Sequence, residues 1–168
     1  MDKEKLQEKL LAAADSAKNP AEIVALLKKG ADIHCKDTFG LTPVMRAALF
    51  NSYAKVIASL VEAGADVFER EPQYKSTALQ LAANHNTNPQ VIEVLVEAGS
   101  DVNDVNYLGE TALIMAVNSG NVTKVISALV KAGSDVNARD YQDRSALDYA
   151  RMAKRSYVAK LLKAAGAQ

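Results

Sequence analysis

The chain repeats one tripeptide four times, as Gly30-Ala31-Asp32, Gly64-Ala65-Asp66, Gly99-Ser100-Asp101 and Gly133-Ser134-Asp135. The four glycines are 34, 35 and 34 residues apart, and Gly166 follows the last of them by 33 residues. A fixed period of this length is typical of one structural unit copied along a line. The period therefore predicts a stacked repeat protein, in which each unit buries its apolar face against its neighbours.

Each unit has the pattern of two short helices joined by a polar turn. The first helix carries an apolar-x-x-Ala pattern, as in Leu79 to Ala82 and Leu113 to Ala116, which places both residues on one helix face. Thr or Ser stands at its start, where the hydroxyl can accept a bond from an unpaired backbone N–H. The second helix ends at the unit glycine, which adopts the left-handed conformation without a Cβ penalty. The extended stretch after that glycine predicts a two-stranded finger between units.

The composition favours an ordered protein, and the cysteine count favours a reducing compartment. The formal net charge is zero, so no global charge favours nucleic acid or an anionic membrane surface. Cys35 is the single cysteine, which excludes an intrachain disulfide. No apolar stretch with the features of a signal peptide or a membrane span is visible. These features predict a soluble cytoplasmic protein and leave export as an effector open.

The motifs resemble those of the ankyrin repeat family. Residues 37–48 closely resemble its Asp-x-x-Gly-x-Thr-Pro-Leu-x-x-Ala-Ala pattern, and residues 125–137 contain a close match to its Val-x-x-Leu-Leu-x-x-Gly-Ala-Asp-Val-Asn pattern. The resemblance implies an all-α helix-turn-helix solenoid with short β-hairpin fingers. It implies a single domain over residues 1–168, with capping units at both ends and units of about 3–36, 37–70, 71–105, 106–139 and 140–168. The spacing variants are similar to those of ankyrin repeats in bacterial proteins.

The match departs from the family pattern at several points. Only the second unit keeps the Thr-Pro pair, at Thr42-Pro43. The third unit has one extra residue in its finger, between Phe68 and Lys75. Loops tolerate such changes in length, so the departures predict local differences in the turns rather than a different fold.

The resemblance also implies a non-catalytic function, which is to bind another protein through a concave face of finger tips and first helices. No cofactor is implied, and the chain is expected to be a monomer. Carried over position by position, the expected partner-binding residues are Phe39, Leu41, Leu49, Phe50, Tyr74, Lys75, His85, Tyr107, Leu108, Asn118, Tyr141, Gln142 and Arg144. The same mapping also gives Thr38, Ser76, Asn84, Glu110, Ser119, Met152 and Ala153.

Two features of this expected face allow more than one interpretation. Aromatic residues are scarce, yet Phe39, Tyr74, Tyr107 and Tyr141 all fall at or beside successive tips, where they either bind a partner or pack on neighbouring fingers. Arg46 stands where other units have Leu, Met or Tyr, so it either extends from the edge of the stack or anchors an anion in the groove. The remaining tyrosines are expected to pack within or between helices; they are Tyr53, Tyr149 and Tyr157.

The residues that could carry chemistry give no catalytic or metal site. His34 and His85 are the only histidines and are not in a metal-ligand spacing. Cys35 and His34 together offer only two ligands, which is too few to close a zinc site.

The alternative function is a regulatory or effector protein that acts on or with an enzyme. Charge is uneven: residues 61–110 hold nine acids and two bases, which favours either a solvated surface or a basic partner.

Overall fold

The computed structural model describes residues 2–168 of the chain. Within that range the backbone forms short α-helices in pairs, one pair for each unit. The helices are α1 (Lys3–Ser16), α2 (Pro20–Lys28), α3 (Pro43–Phe50), α4 (Ala54–Glu62), α5 (Ala78–His85), α6 (Pro89–Glu97), α7 (Ala112–Asn118), α8 (Thr123–Lys131), α9 (Ala146–Met152) and α10 (Ser156–Ala164). The all-α solenoid predicted from the period is thereby confirmed.

Local sequence signals determine where the helices begin and end. Thr42 and Thr111 accept bonds from the backbone N–H groups of Met45 and Ile114 at 3.4 and 3.3 Å, as expected for N-caps. Proline occupies the first turn of α2, α3 and α6, where its missing N–H costs no helical bond. Gly133 after α8 has φ +93°, which confirms the predicted left-handed helix end.

The helices pack in two parallel rows. The first-helix row comprises α1, α3, α5, α7 and α9, each in contact with the next, while α2, α4, α6 and α8 form the second-helix row. The leucine and alanine of the predicted pattern are buried between the rows, as at Leu113 and Ala116. Because alanine is small, neighbouring first-row helices can approach closely, so the core is continuous along the stack.

Buried asparagines join each unit to the one before it. Asn51, Asn86 and Asn121 follow the first-row helices at intervals of 35 residues. The Asn51 Nδ2 donates to the carbonyl oxygens of Ala14 and Ala17 at 3.0 and 2.9 Å. These carbonyls lie at the end of α1, where the helix itself offers no donors.

The same contact is repeated along the stack. The Asn86 Nδ2 donates to the carbonyls of Ala48 and Asn51 at 3.0 and 2.9 Å, and Asn121 does the same to Ala83 and Asn86 at 2.7 and 3.0 Å. In the last unit a guanidinium replaces the amide, because Arg155 donates to the carbonyls of Val117 and Asn121. We call these four side chains the asparagine ladder.

The tyrosines away from the finger tips only partly follow the sequence-based expectation. Tyr149 is buried in α9, as predicted. The expectation is wrong for Tyr53 and Tyr157, whose rings are exposed, and Tyr157 has 71% of its surface accessible. These two residues lie at the starts of second-row helices, where the ring can point outward without leaving a gap in the core.

We predict that Asn86→Ala lowers the free energy of unfolding by about 2–3 kcal/mol, because the buried carbonyls of Ala48 and Asn51 lose their donor. Urea unfolding monitored by circular dichroism measures the change. Asn84→Ala is the matched control, since Asn84 is two residues away and its amide contacts only His85. An Asn86 variant as stable as the Asn84 variant would contradict a structural role for the ladder.

Two buried hydroxyls predict a gain in stability on substitution. The Oγ atoms of Ser100 and Ser134 have no hydrogen-bond partner within residues 2–168, and Ala31 and Ala65 occupy the same place in earlier units. Ser134→Ala should therefore raise the unfolding free energy by about 1 kcal/mol, because a desolvated hydroxyl is removed. Ser59→Ala, whose hydroxyl donates to the Val56 carbonyl at 2.8 Å, should give no increase in the same urea experiment. A loss in the Ser134 variant would show that its hydroxyl is bonded.

Candidate functional site

Each finger tip is closed by one acidic or amide side chain. The Asp37 Oδ1 accepts from the backbone N–H groups of Phe39 and Leu41, both at 2.9 Å. Asn106 and Asp140 close the later fingers in the same way, each accepting from the residues two and four positions ahead. Such a clamp satisfies the turn's own donors, so the tips are held in fixed positions.

The longer third finger uses a longer acid. Glu71 stands where the other fingers have Asp or Asn, and it accepts from the backbone N–H groups of Gln73, Tyr74 and Ser76 at 2.6, 2.7 and 3.1 Å. Its additional methylene lets the carboxylate reach across a turn that contains one more residue. The length variation visible in the sequence is therefore accommodated by this side chain.

Backbone bonds connect neighbouring tips. The Tyr107 N–H donates to the Tyr74 carbonyl at 2.7 Å, and the Tyr141 N–H donates to the Leu108 carbonyl at 3.0 Å. The expected β-character is limited to single bridges, Val105 with Thr111 and Arg139 with Ser145. The fingers are therefore narrow turns, which are stacked on one another rather than extended into a sheet.

The finger tips and the first-helix row line two adjoining cavities, whose shared surface we call the groove face. The larger cavity has a volume of about 650 Å³ and runs from the second to the fourth unit. The smaller one, of about 510 Å³, lies between the fourth and fifth fingers, and Leu108 and Glu110 line both. Residues of three successive units line the larger cavity, so its wall is formed by the stack rather than by one unit.

Most of the residues expected to bind a partner lie on the groove face. The larger cavity is lined by Phe39, Leu41, Leu49, Tyr74, His85, Leu108 and Asn118 from the expected set. The smaller cavity is lined by Lys75, Tyr107, Leu108, Tyr141, Gln142 and Arg144. Phe50 lines neither cavity, and its ring lies instead beneath the guanidinium of Arg46 at 5.6 Å. The wider mapping also fails at four positions, because neither cavity is lined by Thr38, Ser119, Met152 or Ala153.

The larger cavity also contains residues that the sequence analysis did not single out. Leu81 and Met115 lie one helical turn after Thr77 and Thr111 on the first-row helices. A spacing of four residues from the N-cap could have indicated them, because it identifies one face of a helix. The others belong to the fingers themselves and are Glu71, Pro72, Gln73 and Asn106.

Arg46 is bound by the chain's own carboxylates. Its Nε donates to the Asp15 Oδ1 at 2.8 Å, and its Nη1 donates to the Asp37 Oδ2 at 2.5 Å. The hydrogen bond to Asp15, aided by that to Asp37, raises the pKa of Arg46 against the opposing effect of burial. Of the two interpretations left open by the sequence, an anion anchor is disfavoured, because both carboxylates would compete with any external anion.

The fifth unit has a similar internal pair. The Tyr149 hydroxyl donates to the Asp140 Oδ2 at 2.6 Å, and the Arg144 guanidinium lies 4.6 Å from the Tyr149 ring centre. Burial and this hydrogen bond raise the pKa of Tyr149 to about 12. Burial acts to raise the pKa of Asp140, but the bonds from Tyr149 and from the backbone N–H groups of Arg144 and Gln142 hold it below its usual value.

The groups considered for catalysis lie apart from one another. Cys35 is buried, and burial together with the charge of Asp32 raises the pKa of its thiol to about 11, so the reactive thiolate is scarce at neutral pH. The His85 Nε2 lies 3.0 Å from the Asn84 Nδ2, and His34 is an exposed finger residue. Within residues 2–168, no group of three or more His, Cys, Asp or Glu side chains could hold a metal ion.

A search over residues 2–168 finds no helix with both the length and the apolar character needed to cross a membrane.

The family comparison agrees with the repeat architecture. A sequence model described as ankyrin repeats (3 copies) matches residues 10–106 and 81–168. A search of curated proteins finds no match to the chain. Ankyrin repeats are typically non-catalytic and generally mediate binding to other proteins. Because the two matches together span nearly all of a chain built from paired helices and stacked fingers, this protein belongs to the ankyrin repeat family.

Proposed function

We propose that the chain is a non-catalytic binding module, and that its groove face holds another protein. The observation that carries this proposal is the pair of adjoining cavities, lined by finger tips and first-row helices that internal bonds hold in place. A preformed surface binds without a large ordering cost. The proposed module is a cytoplasmic monomer and needs no cofactor.

The exposed aromatic tips support this assignment. Phe39, Tyr107 and Tyr141 have 76, 64 and 77% of their surface accessible, although aromatic side chains gain much from burial. Rigid aromatic side chains give a large contact area at low entropy cost, and they dominate the energetics of many interfaces. Their positions on the second, fourth and fifth fingers would let one partner contact several units at once.

The tips also pack on one another, and this packing covers only part of the aromatic ring surface. A Cβ added at Gly109 would lie 2.6 Å from the Tyr141 ring, so this tyrosine rests on the preceding tip. A Cβ at Gly40 would lie 2.5 Å from Pro72 in the same way. One edge of the Tyr141 ring therefore packs on the preceding finger. The rest of the ring is exposed and open to a partner.

The alternative of an effector that acts on or with an enzyme has less support. The histidines, the thiol and the groove carboxylates of residues 2–168 do not meet in a nucleophile–base arrangement. Nucleic acid is a poorer candidate than protein, since the larger cavity is lined by two glutamates and by no lysine or arginine.

We predict that a Phe39→Ala, Tyr107→Ala, Tyr141→Ala triple variant loses the partner that the wild-type chain retains in affinity capture from a lysate of the source organism. The reason is the loss of three exposed rings from the groove face. Tyr157→Ala is the matched control, because this ring is equally exposed but lies at the start of α10, beside the second-helix row. Circular dichroism must show that both variants are folded. Equal retention by the triple variant would place the interface elsewhere.

A further inference from the structure

Three positions repeat along the groove face and define its chemistry. The first lies just before the N-cap of each first-row helix and holds Leu41, Ser76, Glu110 and Arg144 in successive units. The second and third lie four and seven residues after the N-cap, and they include Leu81 and Met115, then Leu49 and Asn118. The chain therefore changes the chemistry of the groove from unit to unit while it keeps the same backbone.

Three charged side chains occupy these positions, and Glu110 differs from the other two. Arg46 is paired with Asp15 and Asp37, and Arg144 lies 3.5 Å from the Asp140 carboxylate. None of the ion pairs found among residues 2–168 includes Glu110. Glu110 is therefore the one charged side chain at these positions that forms no ion pair within the described residues, and Lys75 and Arg144 line the smaller cavity with it.

Glu110 is also nearly buried, with 8% of its surface accessible. Its carboxylate accepts from two neutral amides, the Asn106 Nδ2 at 3.0 Å and the Asn118 Nδ2 at 3.3 Å. A carboxylate has sites for about four hydrogen bonds, so acceptor capacity remains on the side of the groove. Glu71, the other glutamate of this cavity, already accepts three backbone N–H groups.

The surroundings of Glu110 suit a cationic side chain with an aliphatic stem. Leu81, Leu108 and Met115 line the same cavity, and they offer an apolar wall for methylene groups. A charge-assisted bond to a carboxylate at a site with few competing waters is stronger than one on an open surface. The excess of acids over bases in residues 61–110, nine against two, would favour the approach of a basic partner.

We propose that the groove face takes an extended segment of another protein, whose lysine or arginine side chain binds the Glu110 carboxylate. An apolar residue of the same segment lies against Leu41 and Leu49 at the opposite end of the cavity. Neighbouring helices pack about 8–10 Å apart, so Leu41 and Glu110, two units apart, are separated by roughly 20 Å, or about six extended residues. This inference rests on the proposed binding function.

The test is selection from a random peptide library displayed on phage, with the full chain as the immobilised target. Selected peptides should carry Lys or Arg at a fixed distance of about six residues from an apolar residue. The best peptide is then synthesised with a fluorescent label, and its binding is measured by fluorescence anisotropy. Its affinity should fall about tenfold for Glu110→Gln, and about equally when norleucine replaces the basic residue.

A double-mutant cycle assigns the contact to this pair. Norleucine should cause no further loss with the Glu110→Gln chain, because the carboxylate is already absent. Glu93→Gln removes the same charge from an exposed site on α6 and should leave the affinity unchanged. Glu110→Leu serves as a second variant, since Leu41 occupies this position in the second unit. Urea unfolding of each variant confirms that it is folded.

The possible failures are distinguishable. Peptides that bind the groove face, lose affinity with Phe39→Ala and Tyr107→Ala, and carry no basic residue would overturn the role of Glu110 while they support the proposed function. Two results would overturn both the proposed function of the groove face and the proposed contact with Glu110. One is a set of peptides whose affinity the tip variants leave unchanged, and the other is a selection that gives no peptide. A dimer in sedimentation that Glu110→Gln dissociates would identify a second copy of this chain as the occupant, and would overturn the assignment to another protein.

Discussion

The asparagine ladder is the contact on which the stack depends. Helices of seven to nine residues, such as α7 and α8, are too short to be stable alone. Near the ends of first-row helices, the carbonyls of Ala14, Ala48 and Ala83 accept a bond from an asparagine side chain. In this chain the donors come from the next unit, so each unit satisfies the polar groups of its predecessor. Stacking is thus required for hydrogen bonding as well as for apolar burial. Arg155 completes the series where the last unit has no asparagine at this position.

The ladder also has a consequence for the groove on the other side of the first-row helices. Because Asn86 and Asn121 bond both to the end of the preceding helix and to the preceding turn, they fix the distance between neighbouring units. The tip clamps at Asp37 and Asn106 fix each finger within its unit. Some side chains on the groove face have structural roles, as Glu71 and Tyr141 do, but the position just before the N-cap accepts several residue types. Leucine, serine, glutamate and arginine can follow one another at a single position there without disturbing the fold.

Sequence reasoning succeeded where one signal is local and repeated. The period, the Thr caps and the helix-ending glycines depend on neighbours within a few residues, so a single unit predicts the others. The role of Asn86 depends on carbonyls 35 and 38 residues earlier. An asparagine between two helices, considered without those distant carbonyls, indicates only a turn. Arg155 is harder still to predict from the sequence, because it makes the bonds of the ladder with a different residue type. Glu71 was visible only as part of a longer turn, whose geometry the sequence does not give.

The charges of the groove show why residue type alone cannot define a binding site. Arg46 and Glu110 are charged residues at positions that hold an uncharged residue in most other units. Arg46 is neutralised by Asp15, which lies 31 residues earlier on α1, whereas Glu110 receives only neutral amides. An amide donor brings no charge of its own, so it does not compensate the charge of a carboxylate as a guanidinium does. The selectivity of such a surface therefore follows from which charges the chain pairs internally and which it leaves for a partner.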